Sequence, residues 1–190
     1  MKQLKMIRYS GSVVQRELPC GYCFVLFKDC ESDVAAWCDI CRGAGMVKSE
    51  NDREAFDKII MSVKGIDPEK DLFFVVDPNG RKVATSTLIH NKEKGSGYLH
   101  MVAAIPDVRN LGIGHAMLSH AMQMAEERGI DHCVLTTDDY RLPAIKNYLC
   151  GGFRPVLYGG EHEEMRVRWS EVAKNLSIEL SEEDFIVEND

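Results

Sequence analysis

The run Arg109-Asn110-Leu111-Gly112-Ile113-Gly114 has the composition of a main-chain anion site. Glycine lets the backbone approach a ligand closely, and the first N–H groups of a helix lack intrahelical acceptors. If this run opens a helix, its free donors and the helix dipole suit a pyrophosphate. A second constellation is made of thiols. CGYC at 20–23 and CDIC at 38–41 give the pattern C-x2-C-x14-C-x2-C, close to the spacing of a four-thiolate zinc site. Both readings depend on the secondary structure that carries these residues.

For the glycine run the context agrees. Segments 71–77, 81–90 and 98–105 are strand-like, and Asp-Pro-Asn-Gly at 77–80 makes a hairpin of the first two. Three strands joined by short connections form an antiparallel meander, which Pro106 ends. From Gly112 to Arg128 the period changes: Ile113, Met117, Ala121 and Met124, with Ala116 and Ala125 beside them, follow helical spacing, and Gly129 is placed as a C-cap. The glycine run therefore falls on a strand-to-helix turn. A strand over 132–137 follows without a hairpin, which implies a crossover and a parallel pair. Segment 142–150 reads as a short helix stopped by Gly151-Gly152, with a strand from Phe153. Upstream lie a strand over 21–28 and helices over 31–43 and 50–63. The order β-α-α-β-β-β-α-β-α-β describes one α/β domain over 1–176, with 177–190 as an acidic, partly ordered arm.

For the thiols the context disagrees. Cys20 and Cys23 fall at the entry of a strand, and Cys38 and Cys41 inside a helix, whereas zinc-binding Cys-x-x-Cys pairs sit on tight turns. Packing thiols are the favoured reading, and no metal is expected. His115 and His120, five apart on the long helix, do not share a face and make no metal pair.

Composition narrows the function classes. The chain has 190 residues, 45% hydrophobic and 28% charged, with a formal net charge of −7 and no Lys/Arg stripe, so no nucleic-acid partner is expected. No apolar run approaches a membrane span, and the N-terminal stretch lacks a signal-peptide core. An odd count of seven cysteines without an export signal points to free thiols in the cytoplasm. MRVRWSEVAKN at 165–175 is amphipathic and packs against the sheet or a second subunit, which leaves a homodimer open.

The stretch from Asp71 to about Leu157 resembles the GNAT superfamily of N-acetyltransferases. RNLGIG is similar to that family's acetyl-CoA pyrophosphate loop. AIKNYLCGGF at 144–153 is similar to its Ala-x-x-x-Tyr-x-x-x-Gly-Phe signature, with Ala144, Tyr148, Gly152 and Phe153 in register. It departs at Arg141, where the family often has Asn. The resemblance implies a GNAT-type mixed sheet, an antiparallel meander followed by a β-α-β crossover, with helices on both faces. It implies acetyl-CoA as co-substrate and direct transfer to a primary amine of a small molecule or a peptide N-terminus. A catalytically silent CoA-binding sensor or interaction module is the second reading. Val102, Ala103 and Ala104 would offer backbone groups to the pantetheine arm and the acetyl carbonyl. Arg109, Asn110, Leu111, Gly112, Ile113, Gly114 and His115 would hold the pyrophosphate.

Tyr148 would protonate the departing thiolate. The base is harder to assign, because neither strand on which the family often carries a Glu has one here. His100 has a suitable intrinsic pKa and, by strand alternation, shares a face with Val102 and Ala104. Asp138, Asp139 or water-mediated deprotonation are the alternatives. The acidic excess favours a cationic acceptor over an anionic one.

Overall fold

The computed structural model describes residues 2–160 and 162–188. Its strands are β1 (Leu4–Tyr9), β2 (Cys23–Leu26), β3 (Leu72–Val76), β4 (Lys82–Asn91), β5 (Ser96–Ala104), β6 (His132–Thr137), β7 (Arg154–Leu157) and β8 (Ile186–Val187). The helices are α1 (Glu31–Gly43), α2 (Asp52–Phe56), α3 (Pro68–Asp71), α4 (Ile113–Glu127), α5 (Leu142–Cys150) and α6 (His162–Leu176). A π turn, Asp57–Met61, continues α2.

All eight strands join one mixed sheet in the order β2-β3-β4-β5-β6-β1-β7-β8. β2 to β5 are the antiparallel meander, and β5 and β6 are the parallel pair made by the α4 crossover. The β3–β4 hairpin closes as its residues dictate. The Asp77 carboxylate accepts the N–H groups of Asn79 and Arg81, both at 2.9 Å, and Gly80 takes the positive φ of the turn. At the other end of α4, Gly129 has a φ of 64°; its N–H reaches Glu126 O and that of Ile130 reaches Ala125 O, so the last carbonyls are satisfied.

Helices cover both faces. The larger core gathers Ile113, Met117, Ala121 and Ala125 of α4, Ile145 and Tyr148 of α5, and Met165, Trp169 and Val172 of α6 against the sheet. A smaller core on the opposite face joins Val34, Trp37, Cys38, Ile40 and Cys41 of α1 to Phe56, Ile60, Leu72 and Phe74. Cys38 and Cys41 are thus packed thiols. Burial pushes the Cys38 thiol up to about 11, with Asp52 adding to the effect, and drives Cys41 higher still. Cys20 and Cys23 lie exposed, and among the described residues no group of three or more His, Cys, Asp or Glu side chains converges as a metal site. No described helix is long and apolar enough to cross a membrane.

Two elements stand outside the predicted order. LKMIRY forms β1, with Leu4 and Met6 fully buried, and it lies antiparallel between β6 and β7. The alternation of Leu4 and Met6 with Lys5 was the available signal. The amphipathic segment forms α6, whose Trp169 is fully buried in this chain's own core. Beyond it, Ile186–Val187 pairs parallel with β7, and the Glu188 carboxylate holds the Lys5 ammonium at 2.5 and 2.6 Å.

Candidate active site

The turn between β5 and α4 has the conformation its glycines allow. Asn110 and Gly112 carry positive φ values of 62° and 80°, and α4 starts at Ile113. Asparagine and glycine tolerate this region best, and alternating it with right-handed residues makes a concave nest of N–H groups. Among the described residues, the N–H groups of Asn110, Leu111, Gly112, Ile113 and Gly114 have no acceptor. Arg109 and His115 bound the set, because their N–H groups are spent on Pro106 O (3.2 Å) and Gly112 O (3.1 Å). Five successive exposed or helix-opening donors are an anion cradle.

The cradle leads into an opening in the sheet. β5 pairs with β6 only through Ser96, Gly97 and Tyr98; beyond Tyr98 the two strands separate, although β5 runs on to Ala104 and β6 to Thr137. The freed edge of β5 therefore carries unpaired main-chain groups. Ile105 N–H donates to Val83 O of β4 at 2.9 Å, and Ala103 pairs with Thr85, so alternation turns the groups of Ala104 and Val102 to the open side. Ala103 is directed to β4 instead.

Part of the predicted arrangement is corrected by a β-bulge. His100 pairs with Thr87 and Ala103 with Thr85, which leaves Met101 and Val102 opposite Ser86 alone, and Met101 has a φ of 53°. The bulge resets the alternation. Val102 and Ala104 pack toward the larger core, whereas Met101 and Ala103 face the smaller one. His100 goes with the latter: its Nε2 donates to the Ile59 carbonyl in the π turn at 3.1 Å. It does not share a face with Val102 and Ala104, and the Nδ1 lone pair is the one left free.

Tyr148 lies on α5, buried in the larger core. Its side chain is 7% exposed, burial pushes its pKa up to about 12, and among the described residues no hydrogen bond holds its hydroxyl. Smaller effects come from Arg141, which lowers the pKa, and Tyr98, which raises it, so these groups lie close. From the other face, the Tyr98 hydroxyl meets Thr136 Oγ1 of β6 at 2.8 Å, bridging the strands where their main-chain pairing has ended. The His100 ring lies beside Tyr98, 5.9 Å between centroids. Asp138 and Asp139 are not free: Asp138 is held by Gln3 and Arg141, each at 3.0 Å, and Asp139 by a bidentate contact with Arg168 at 2.8 and 2.5 Å.

Two contacts had little sequence signal. The Tyr98–Thr136 bridge joins residues far apart in the chain, and no motif marks it. Asn147, next to Tyr148, donates to Gly114 O at 2.9 Å and so ties the first turn of α4 to α5.

Burial of the imidazoles has a consequence for stability. Burial lowers the pKa of His100 against the opposing Ile59 bond, and lowers that of His120, which stacks on Phe24 at 4.1 Å. On acidification the unfolded chain protonates both at about 6.5, before the folded chain does, so it binds more protons and stability is lost as pH falls below about 6.5. Thermal melts between pH 7.5 and 5.5 should show a falling midpoint, and His120→Gln should flatten the dependence.

The comparisons agree with this geometry. A model of the acetyltransferase (GNAT) family matches residues 20–152, well over half of the chain. The chain belongs to the GNAT family of acetyltransferases. No curated protein matches it. Among solved structures, a GCN5-related N-acetyltransferase from Sphaerobacter thermophilus superposes with a TM-score of 0.67 at 20% identity, covering 82% of this chain and 49% of that one. The chain thus spans about half the length of that relative. The ribosomal-protein-S18-alanine N-acetyltransferase of Escherichia coli gives 0.55 at 19% identity, over 68% of this chain and 75% of that chain. The diaminobutyrate acetyltransferase of Paenibacillus lautus, solved with L-2,4-diaminobutyric acid and coenzyme A, gives 0.54 at 13%, over 68% and 73%. At these identities the likeness is one of fold.

Proposed function

We propose that this chain is an acetyl-CoA-dependent N-acetyltransferase that acts on a primary amine of a small molecule or a peptide N-terminus. The observation that carries the reading is the continuity of the cradle at Asn110–Gly114 with the open β5 edge and the unbonded Tyr148 hydroxyl. These residues fit the co-substrate: the cradle for the pyrophosphate, Val102 and Ala104 for the amides of the pantetheine arm, and Tyr148 for the sulfur end. Arg109, Ala103 and His115 flank those donors. When bound, acetyl-CoA supplies the thioester carbonyl that an amine attacks.

The chain's own groups divide the remaining work. The acceptor nitrogen forms the C–N bond as the C–S bond breaks, and it sheds one proton. The leaving sulfur gains one from Tyr148 Oη, which solvent re-protonates, so the balance needs no further reactant. A phenol raised to about 12 stays protonated at neutral pH and is available as that donor. His100 Nδ1, kept neutral by burial, is the group on the acceptor side able to receive a proton, directly or through water.

Incubation with acetyl-CoA and an amine panel, with thiol release and acetylated product both followed, tests the reading. Thiol release matched by acetyl-amine is the expected result. Tight coenzyme A binding with no turnover on any amine would favour the silent CoA-binding module instead.

A further inference from the structure

We infer that the acceptor is a weakly basic amine, with a conjugate-acid pKa of about 8 or below, rather than a lysine ε-amine. An α-amino group or an aminosugar has that chemistry. The inference rests on the acetyl-transfer reading above and comes from the charges around the opening.

A strongly basic amine arrives as an ammonium, and holding that charge in the opening calls for a carboxylate close by. The strands bordering the opening present the Tyr98–Thr136 hydroxyl pair and the imidazole of His100, whose Nε2 is already committed to Ile59 O, and the Asp57 carboxylate of the same π turn is paired with Arg53 at 3.1 Å. β5, β6 and β1 contribute no Asp or Glu. Among the described residues, each carboxylate on the neighbouring turn and strand end has a cationic partner. Asp138 is paired with Arg141, Asp139 with Arg168, and Glu188 with Lys5. The cations also lie close. Lys5 sits directly opposite Thr136 in the β1–β6 register, and Arg141 is near enough to Tyr148 to oppose the effect of burial on its phenol. Paired in this way, neither the carboxylates nor the cations leave a net charge that would hold an ammonium. The chain's acidic excess is thus not expressed here.

At pH 7.5 an α-amine of pKa about 8 is roughly one-quarter neutral, and a lysine of pKa about 10.4 roughly one part in 800, a ratio of about 200. The buried imidazole of His100 is a far weaker base than a lysine amine and does not offset that ratio, which passes into kcat/KM.

The test uses the full chain with acetyl-CoA and four acceptors. Two are peptides of one sequence, the first with a free α-amine and no lysine, the second N-terminally blocked with one lysine. The others are an aminosugar and an alkyl diamine, and the better acceptor between peptide and sugar separates the two sources. Expected is a kcat/KM about 100-fold higher for the weakly basic member of each pair at pH 7.5. The lysine rate should climb about tenfold per pH unit to pH 9, while the α-amine rate levels off near 8. Calorimetry on the unreactive coenzyme A complex should give the same order of amine affinity. Thr136→Glu, which replaces the pair's threonine hydroxyl with a carboxylate, should narrow the gap to below about tenfold; the wild-type panel decides the matter should that variant not fold. Equal or faster acetylation of the lysine peptide at pH 7.5 would overturn the inference. No transfer to any acceptor with coenzyme A bound would overturn the acetyl-transfer reading and this inference with it.

Discussion

Tyr148→Phe should lower kcat for acetyl transfer about 100-fold, equivalent to about 2.7 kcal/mol of barrier, and leave coenzyme A affinity within about twofold. The two halves of this expectation have separate causes. The ring packs beside Phe153, at 6.0 Å between centroids, and that contact survives the change. The hydroxyl has no hydrogen bond in the described protein, so its loss removes no structural contact and orphans no partner. What disappears is the proposed proton donor to the departing sulfur. Steady-state rates at saturating acetyl-CoA, with coenzyme A titrations of both proteins, separate the effects. Wild-type turnover in Tyr148→Phe would remove the phenol from the reaction.

Arg128→Ala should cost about 3–5 kcal/mol of folding stability and, for a chain of this size, about 10 °C in Tm. Arg128 caps the C-terminal end of α4 and donates to the Asp71 carboxylate at 2.8 Å, to Leu88 O at 3.3 Å and to Lys70 O at 2.5 Å. Asp71, whose side chain is 8% exposed, has one other donor, the Asp67 N–H at 2.8 Å. Truncating the arginine strands a buried carboxylate and frees two carbonyls. The pair Arg128→Met with Asp71→Leu should recover most of the loss, because the charge is then no longer buried alone. Urea unfolding of the three variants decides this; a loss below 1 kcal/mol in Arg128→Ala would mean that water replaces the guanidinium.

The elements that could be read from sequence were those with local causes. Asp-Pro-Asn-Gly makes its own turn, the spacing of Ile113, Met117, Ala121 and Met124 makes α4, and the glycine run shapes its own cradle. The features that eluded reading are set by partners distant in sequence. Methionine has no preference for positive φ, so nothing in LHMVAAI announces the bulge at Met101, and without it the face of His100 comes out wrong. Likewise the charge balance around the proposed acceptor side depends on Arg141 meeting Asp138, Arg168 meeting Asp139 and Lys5 meeting Glu188. Net charge reports none of these pairings.

The place of β1 bears on how the nascent chain matures. A ribosome delivers β1 well before its partners β6 and β7, so Leu4 must wait for Thr137, and Lys5 for Val156. The meander β2–β5 can close as it emerges, because each strand pairs with a neighbour in the chain. The other half of the sheet cannot, and LKMIRY remains an unpaired, partly apolar segment until β6 and β7 have been made. The opening between β5 and β6 lies on the seam between these halves, so the proposed site is completed late, as β1 slots between two strands made well after it.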